Sequence, residues 1–370
     1  MAETWSHADY TVGWICALAK ELVAAKVMLD KTHPPLSQLP NDPNSYTFGS
    51  IGEHNIVIAC LPETGTINAA TSATWMASSF SNIRVTLMVG IGGGIPPKVN
   101  IGDIVVSMPV DKYPGVVQYD FGKAETTGFR RTGALNKPRP ALLAAIRNLQ
   151  ANHDISGFDL QRYLGEVKER NPKLKPEYLY PPTEPEMPPR QDEKIAPPPS
   201  FLLYIWKALC SIFYFLVGQW AFPPLHSESK NNRSAAGTAL VLSSADGTIQ
   251  RQHRVKSEVR YGLIASGDQV IKDAKFRDEV DRSLDYQVLC VEMEASGLMD
   301  NFGPLVIRGI CDLANAEKHK AWQEYAAVIA AAYTKDLLMS LKSVEVQKEI
   351  PIRDILHQQG QSSTVVPLAS

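Results

Sequence analysis

At 370 residues, 44% hydrophobic and 21% charged, the chain has the make-up of a folded protein with room for one large domain or two small ones. A net charge of -2 gives no basic footprint, which argues against a nucleic-acid partner. The five cysteines, Cys16, Cys60, Cys210, Cys290 and Cys311, fall in no CxxC or metal-ligand spacing. They read as free thiols of a reducing compartment, so no metal and no cofactor is expected. The opening MAETWSHADY has neither the basic nor the apolar region of a secretory signal, and a cytoplasmic location is the expectation.

Taken in order, residues 10–17 read as an apolar strand and 19–29 as a helix with Glu21 at or near its first turn. Residues 46–50 and 55–61 read as paired strands, 62–66 as a polar loop and 68–80 as a helix rich in Ala and Ser. The strand at 85–89 runs into Gly90-Ile91-Gly92-Gly93-Gly94-Ile95-Pro96, where a tight turn and a ligand cradle are both open. No Gly-Lys-Ser/Thr follows, and Pro96-Pro97 stand where a dinucleotide-binding helix would begin. Strands at 101–107 and 116–122 and a helix at 140–149, with Pro140 at its first position, complete the first half.

The character changes over residues 155–258. Residues 172–199 are dense in Pro, Glu and Lys, as in an extended linker. Residues 201–222 are apolar over nearly the length that spans a bilayer. A single span would place the two halves of one sheet on opposite sides of a membrane, so membrane or partner contact through 201–222 is the weaker reading. A small strand is expected at 238–242. Strands return at 261–271, 286–291 and 305–310, with helices at 273–282, 294–301 and 322–341, the last amphipathic, and a loose tail over 344–370. The pattern predicts α/β architecture: one domain, 8–343, with a central mixed, largely buried sheet flanked by helices and interrupted by the insertion.

Two strands end on charges: Val291-Glu292-Met293-Glu294-Ala295 and Val306-Ile307-Arg308-Gly309-Ile310-Cys311-Asp312. Charges at buried strand ends are costly unless paired or used, and carboxyl ends of strands are where open α/β sheets bind ligands. On a regular strand Glu292 and Glu294 would share a face and repel, so either one is paired or the strand stops before Glu294.

The ordered blocks VGWICALAKELVAA, VGIGGGIP, IGDIVVS, VVQYDFG, GLIASGDQVI, VEMEASG and VIRGICD resemble the nucleoside phosphorylase/nucleosidase superfamily, nearest to the phosphorylase-like domain of fungal-type receptors. The resemblance covers roughly residues 8–150 and 258–343 and implies cleavage of the N-ribosidic bond of a purine nucleoside. By this resemblance Asp312 is the acid that protonates the leaving base, though a salt bridge to Arg308 is its alternative. Glu21 orients an attacking water, with Arg308 beside it. Glu294, Met293, Gly92, Gly93 and Trp322 surround the ribose, and Val270 and Ile271 line the base. Trp322 is equally compatible with a core position, and Glu292 with a structural one. The family's phosphate ligands are missing: Ala17-Leu18-Ala19-Lys20-Glu21 has no Arg, and Met88-Val89-Gly90-Ile91 replaces an Arg-x-Gly-Ser pattern. A dianion without such partners is poorly held. The expectation is therefore a purine nucleosidase using water, with a phosphate-dependent phosphorylase or a non-catalytic nucleoside sensor as alternatives. The resemblance also implies a homo-oligomer.

Overall fold

The computed structural model describes residues 4–126, 128–182, 257–317 and 320–362. The expected apolar stretch 201–222 and strand 238–242 lie outside them. Among the described residues no helix is long and apolar enough to cross a membrane.

The strands are β1 (Val12–Cys16), β2 (Lys31–Thr32), β3 (Tyr46–Ile51), β4 (His54–Cys60), β5 (Val85–Gly94), β6 (Ile104–Ser107), β7 (Val116–Gln118), β8 (Gly122–Glu125), β9 (Gly128–Arg131), β10 (Val259–Ser266), β11 (Val288–Glu292) and β12 (Leu305–Asp312). The helices are α1 (Ala19–Met28), α2 (Thr66–Ser79), α3 (Pro140–Ser156), α4 (Leu160–Arg170), α5 (Ala274–Ser283), α6 (Ser296–Phe302), α7 (Gln323–Ser340), α8 (Ser343–Val346) and α9 (Ile352–Ser362).

The main sheet runs β11-β10-β6-β12-β5-β1-β4-β3-β2, with β7 on β10. It is mixed: β1 is parallel to β4 and β5, while β12 is antiparallel to β6. The far end of β5 also pairs antiparallel with β11, Gly93 against Val291 and Gly94 against Cys290, which closes five strands on themselves. β10, after the insertion, pairs in parallel with β6, before it. The chain thus returns to the sheet it left.

Four expectations need correction. The glycine run is not a tight turn but the continuation of β5 through Gly94, and its Gly92 and Gly93 border the cleft described below. Without side chains its backbone approaches β11 and β12 at once, and a Cβ on Gly94 would lie 2.6 Å from Val99. The insertion does not begin at residue 155. Helix α4 buries Leu160, Tyr163, Leu164 and Val167 in the main core, as do Tyr178 and Leu179 beyond it. The last long helix is not amphipathic: α7 is buried at every position from Tyr325 to Lys335. Its neighbours α1, α3 and α4 cover the face that would otherwise meet water. Gly309 of β12 lets it come close, since a Cβ there would lie 1.9 Å from the Ala326 carbonyl oxygen. The start of the supposed loose tail is ordered too, with Val346 and Ile352 buried and the Ile352 N–H donating to the Ile83 oxygen at 2.8 Å. The β8–β9 hairpin has no counterpart in the sequence reading.

Candidate active site

The carboxyl ends of β1, β11 and β12 and the glycine segment of β5 border one open cleft of about 710 Å³. Each contributes a group through its local geometry.

Glu21 stands in the first turn of α1, where four backbone N–H groups lack helical partners. Its Oε2 accepts the N–H of Ala17 at 2.7 Å and of Leu18 at 2.9 Å. Its Oε1 crosses to β5 and accepts the N–H of Ile91 at 2.8 Å. The side chain is 3% exposed. Burial raises its pKa, against the opposing effects of Arg308 and the three N–H donors. Gly90 is required beside it: a Cβ there would lie 2.3 Å from Glu21 Oε1 and 2.7 Å from an Arg308 terminal nitrogen.

Arg308, 1% exposed, is the hub of the opposite group. One terminal nitrogen donates to Glu292 and, at 3.2 Å, to Glu294. The other donates to the Ile91 carbonyl at 3.2 Å. Glu292 is the last residue of β11 and also accepts the backbone N–H groups of Glu294 at 3.1 Å and Ala295 at 3.0 Å. Glu292 is therefore the structural member: it neutralises Arg308 and turns the chain into α6. Both ways of relieving the carboxylate pair operate, because one is paired and the strand stops before the other. Glu294 is pushed up to about 7, first by burial, with Glu292 and Glu21 adding to it and Arg308 opposing. One guanidinium cannot offset three carboxylates in a buried setting. Arg308 is itself held above its ordinary pKa: burial acts to lower it, and the carboxylates of Glu292, Glu294 and Glu21 outweigh that.

Asp312 closes β12. Its Oδ1 accepts the Ala314 N–H at 2.9 Å, and Oδ2 lies 3.6 Å from Cys311 Sγ. The register of β12 on β5 shifts between Ile310 and Asp312. Such a bulge re-aims side chains, and here the consecutive residues Cys311 and Asp312 both reach the cleft.

Of the ten residues assigned a site role from the sequence, nine line this cleft: Glu21, Gly92, Gly93, Val270, Ile271, Met293, Glu294, Arg308 and Asp312, and so does Glu292. Val270 is half-exposed at the rim, whereas Ile271 is buried. Trp322 is not among the lining residues. It is 3% exposed in the core, edge-on to Tyr325 at 6.0 Å. Its neighbour Gln323 takes the place at the cleft, held by Lys20 Nζ at 2.9 Å. Thr64, Gln269 and Cys311 also line it and carried no signal of their own in the sequence. Asp268 anchors the loop before α2 by accepting the Thr66 N–H at 2.9 Å, a contact across 202 positions that no local pattern reveals. Among the described residues no group of three His, Cys, Asp or Glu is placed to hold a metal.

Residues 11–164 match the sequence model of the phosphorylase superfamily. A nucleotide-binding leucine-rich repeat-like protein of Hyaloscypha variabilis is 42% identical over 338 residues, 89% of this chain and 29% of that protein. A 5′-methylthioadenosine/S-adenosylhomocysteine nucleosidase of Mycobacterium tuberculosis is 34% identical over 113 residues, 30% of this chain and 39% of the relative. The chain thus spans well under half the length of either. The solved structure of an enzyme of that same description from S. pneumoniae superposes with a TM-score of 0.52 at 16% identity, over 90% of this chain and 100% of the other. The match over residues 11–164 and the shared fold agree: this part of the chain carries the sequence pattern of the phosphorylase superfamily, and the described residues share the fold of the nucleosidase structure.

Proposed function

We propose that the domain cleaves the N-ribosidic bond of purine nucleosides with water as the nucleophile, releasing the free base and the sugar. The observation that carries this reading is the convergence of Glu21, Glu294 and Asp312 on one cleft, with Arg308 between the first two. Bond breaking passes through an oxocarbenium-like sugar, and a purine leaves well only if a proton reaches its ring nitrogen. Asp312 at the end of β12 donates that proton. Glu294 accepts the hydroxyls of the ribose, with Met293 against the sugar. Glu21, fixed by three backbone donors, orients the water and takes up its proton. Val270 and Ile271 pack on the base.

Water is favoured over phosphate by the charges. Arg308 is the one cation among the described residues lining the cleft, and it is already paired with Glu292 and Glu294. A phosphate dianion placed there would meet carboxylates. The test is release of free base from inosine, guanosine, adenosine and methylthioadenosine in phosphate-free buffer. Strict dependence on phosphate overturns the reading in favour of a phosphorylase. Calorimetric binding without turnover of any of the four favours a sensor. Asp312→Asn lowers kcat by about 10²–10⁴-fold if Asp312 is the acid; unchanged kcat removes it from that role.

A further inference from the structure

Outside the cleft, one pair of reactive groups remains unused by this chemistry. Cys16 is the last residue of β1 and Cys60 the last of β4, and the two are direct partners in the parallel register. Paired strands lie roughly 4.8 Å apart, inside the Cα separation of about 4.4–6.8 Å that a disulfide accepts. Both are free thiols; Cys16 is buried and Cys60 half-buried. The Cys16 thiol points towards β4, with its Sγ 3.5 Å from the Ala59 oxygen. The neighbouring Cys16 thiol draws the Cys60 thiol below its ordinary pKa, against burial. Cys60 in turn raises the Cys16 thiol well above its own, and burial adds to it. A more exposed, more acidic thiol beside a buried one is the arrangement in which the first is oxidised and the second resolves it.

Position gives the pair its consequence. Directly after Cys16 come Ala17 and Leu18, whose N–H groups hold Glu21. Directly after Cys60 comes the segment carrying Thr64 at the cleft and, at Thr66, the contact to Asp268. We propose that Cys60 and Cys16 form a reversible disulfide under peroxide, a redox-modification site that controls the loop holding Glu21 and the loop that brings Thr64 to the cleft. Hydrogen peroxide oxidises the Cys60 thiol to a sulfenic acid and leaves as water. The Cys16 sulfur then attacks the sulfenic sulfur, the S–S bond forms, the S–O bond breaks and a second water departs. In sum two thiols and one peroxide give one disulfide and two waters. The bridge needs Cβ atoms about 3.8 Å apart, so it pulls the ends of β1 and β4 together and shifts the loops that follow.

The bridge is independent of the proposed activity, whereas its effect on turnover rests on that reading. The test treats the full chain with hydrogen peroxide, blocks remaining thiols with N-ethylmaleimide and maps peptides without reduction. A peptide pair joined through Cys16 and Cys60 is expected, lost on adding dithiothreitol. In C16S, Cys60 should instead trap a sulfenic-acid reagent; in C60S, Cys16 should stay reduced. Both cysteines alkylated after peroxide, or Cys60 oxidised with no joined peptide while Cys16 is present, overturns the site. Base release should fall by on the order of tenfold or more on bridging, recover with dithiothreitol and be unaffected by peroxide in C60S. A bridged chain with full turnover overturns the control while the bridge stands. Reduced chain with no turnover defeats the functional reading, and peptide mapping still decides the bridge.

Discussion

Glu21 and Glu294 flank the same guanidinium yet are held in different ways. Glu21 is fixed by backbone: three N–H groups from the end of β1 and from β5, which move only if the sheet moves. Glu294 lies past the end of β11 and depends on a side chain, Arg308, that it shares with Glu292. A backbone cradle fixes a position almost independently of pH. A shared guanidinium leaves the balance of charge adjustable: burial, with Glu292 and Glu21, pushes Glu294 up to about 7 against the opposing effect of Arg308. The rigid carboxylate is the one assigned to the water, and the adjustable one is assigned to the sugar.

The contrast can be broken most severely at its centre. Arg308→Met strands three buried carboxylates, and a loss of about 3–5 kcal/mol in urea unfolding at pH 7.5 is expected. Lowering the pH to 5 should recover part of it, as carboxylates take up protons. Equal loss at both pH values would mean that packing rather than charge dominates. Glu21→Gln comes next: its amide nitrogen would face a backbone donor, leaving a buried N–H unsatisfied at a cost of about 1–3 kcal/mol at pH 5. Glu294→Gln is smallest and differs in sign with pH. The folded chain holds the Glu294 proton up to about 7, whereas the ordinary value is 4.5. The folded state therefore binds more protons across that window, and stability present below 4.5 is lost as pH rises through about 7. Removing the carboxylate should flatten this slope, measured as Tm between pH 5 and pH 8. An unchanged slope would assign it to another group. If the ionised Glu294 accepts the ribose hydroxyls as proposed, kcat/KM of the wild-type chain should rise across the same window.

Much of the site was legible because its parts are local. Apolar runs that end abruptly on charge mark strand ends, and Glu292, Glu294, Arg308 and Asp312 all fall there. Glu21 was legible only by resemblance, since a carboxylate in a first turn is ordinarily solvated. The role of Glu292 needed three dimensions, because its partner stands on another strand. Of the two readings left open for the glycine segment, the tight turn failed for a physical reason: residues that permit turns also permit strands to approach more closely than side chains allow. Helix α4 was obscured because its apolar positions, Leu160, Tyr163, Leu164 and Val167, sit among Gln161, Arg162, Glu166, Lys168, Glu169 and Arg170, and propensity alone does not show that α7 waits to receive them. Trp322 takes the core position that the sequence left equally open, and its neighbour Gln323, one position on at the start of α7, lines the cleft.

The pairing of β5 with β11 also bears on how the chain behaves among its copies. A sheet edge is a row of unpaired backbone groups ready to recruit another strand. At the β11 end, that row is taken up where Cys290 and Val291 meet Gly94 and Gly93. The other end finishes on β2, only two residues long, both exposed and one of them Lys31. One border is sealed by the glycines that shape the cleft and the other is too short and too charged to template growth, so the architecture that builds the site also guards the sheet against edge-to-edge aggregation.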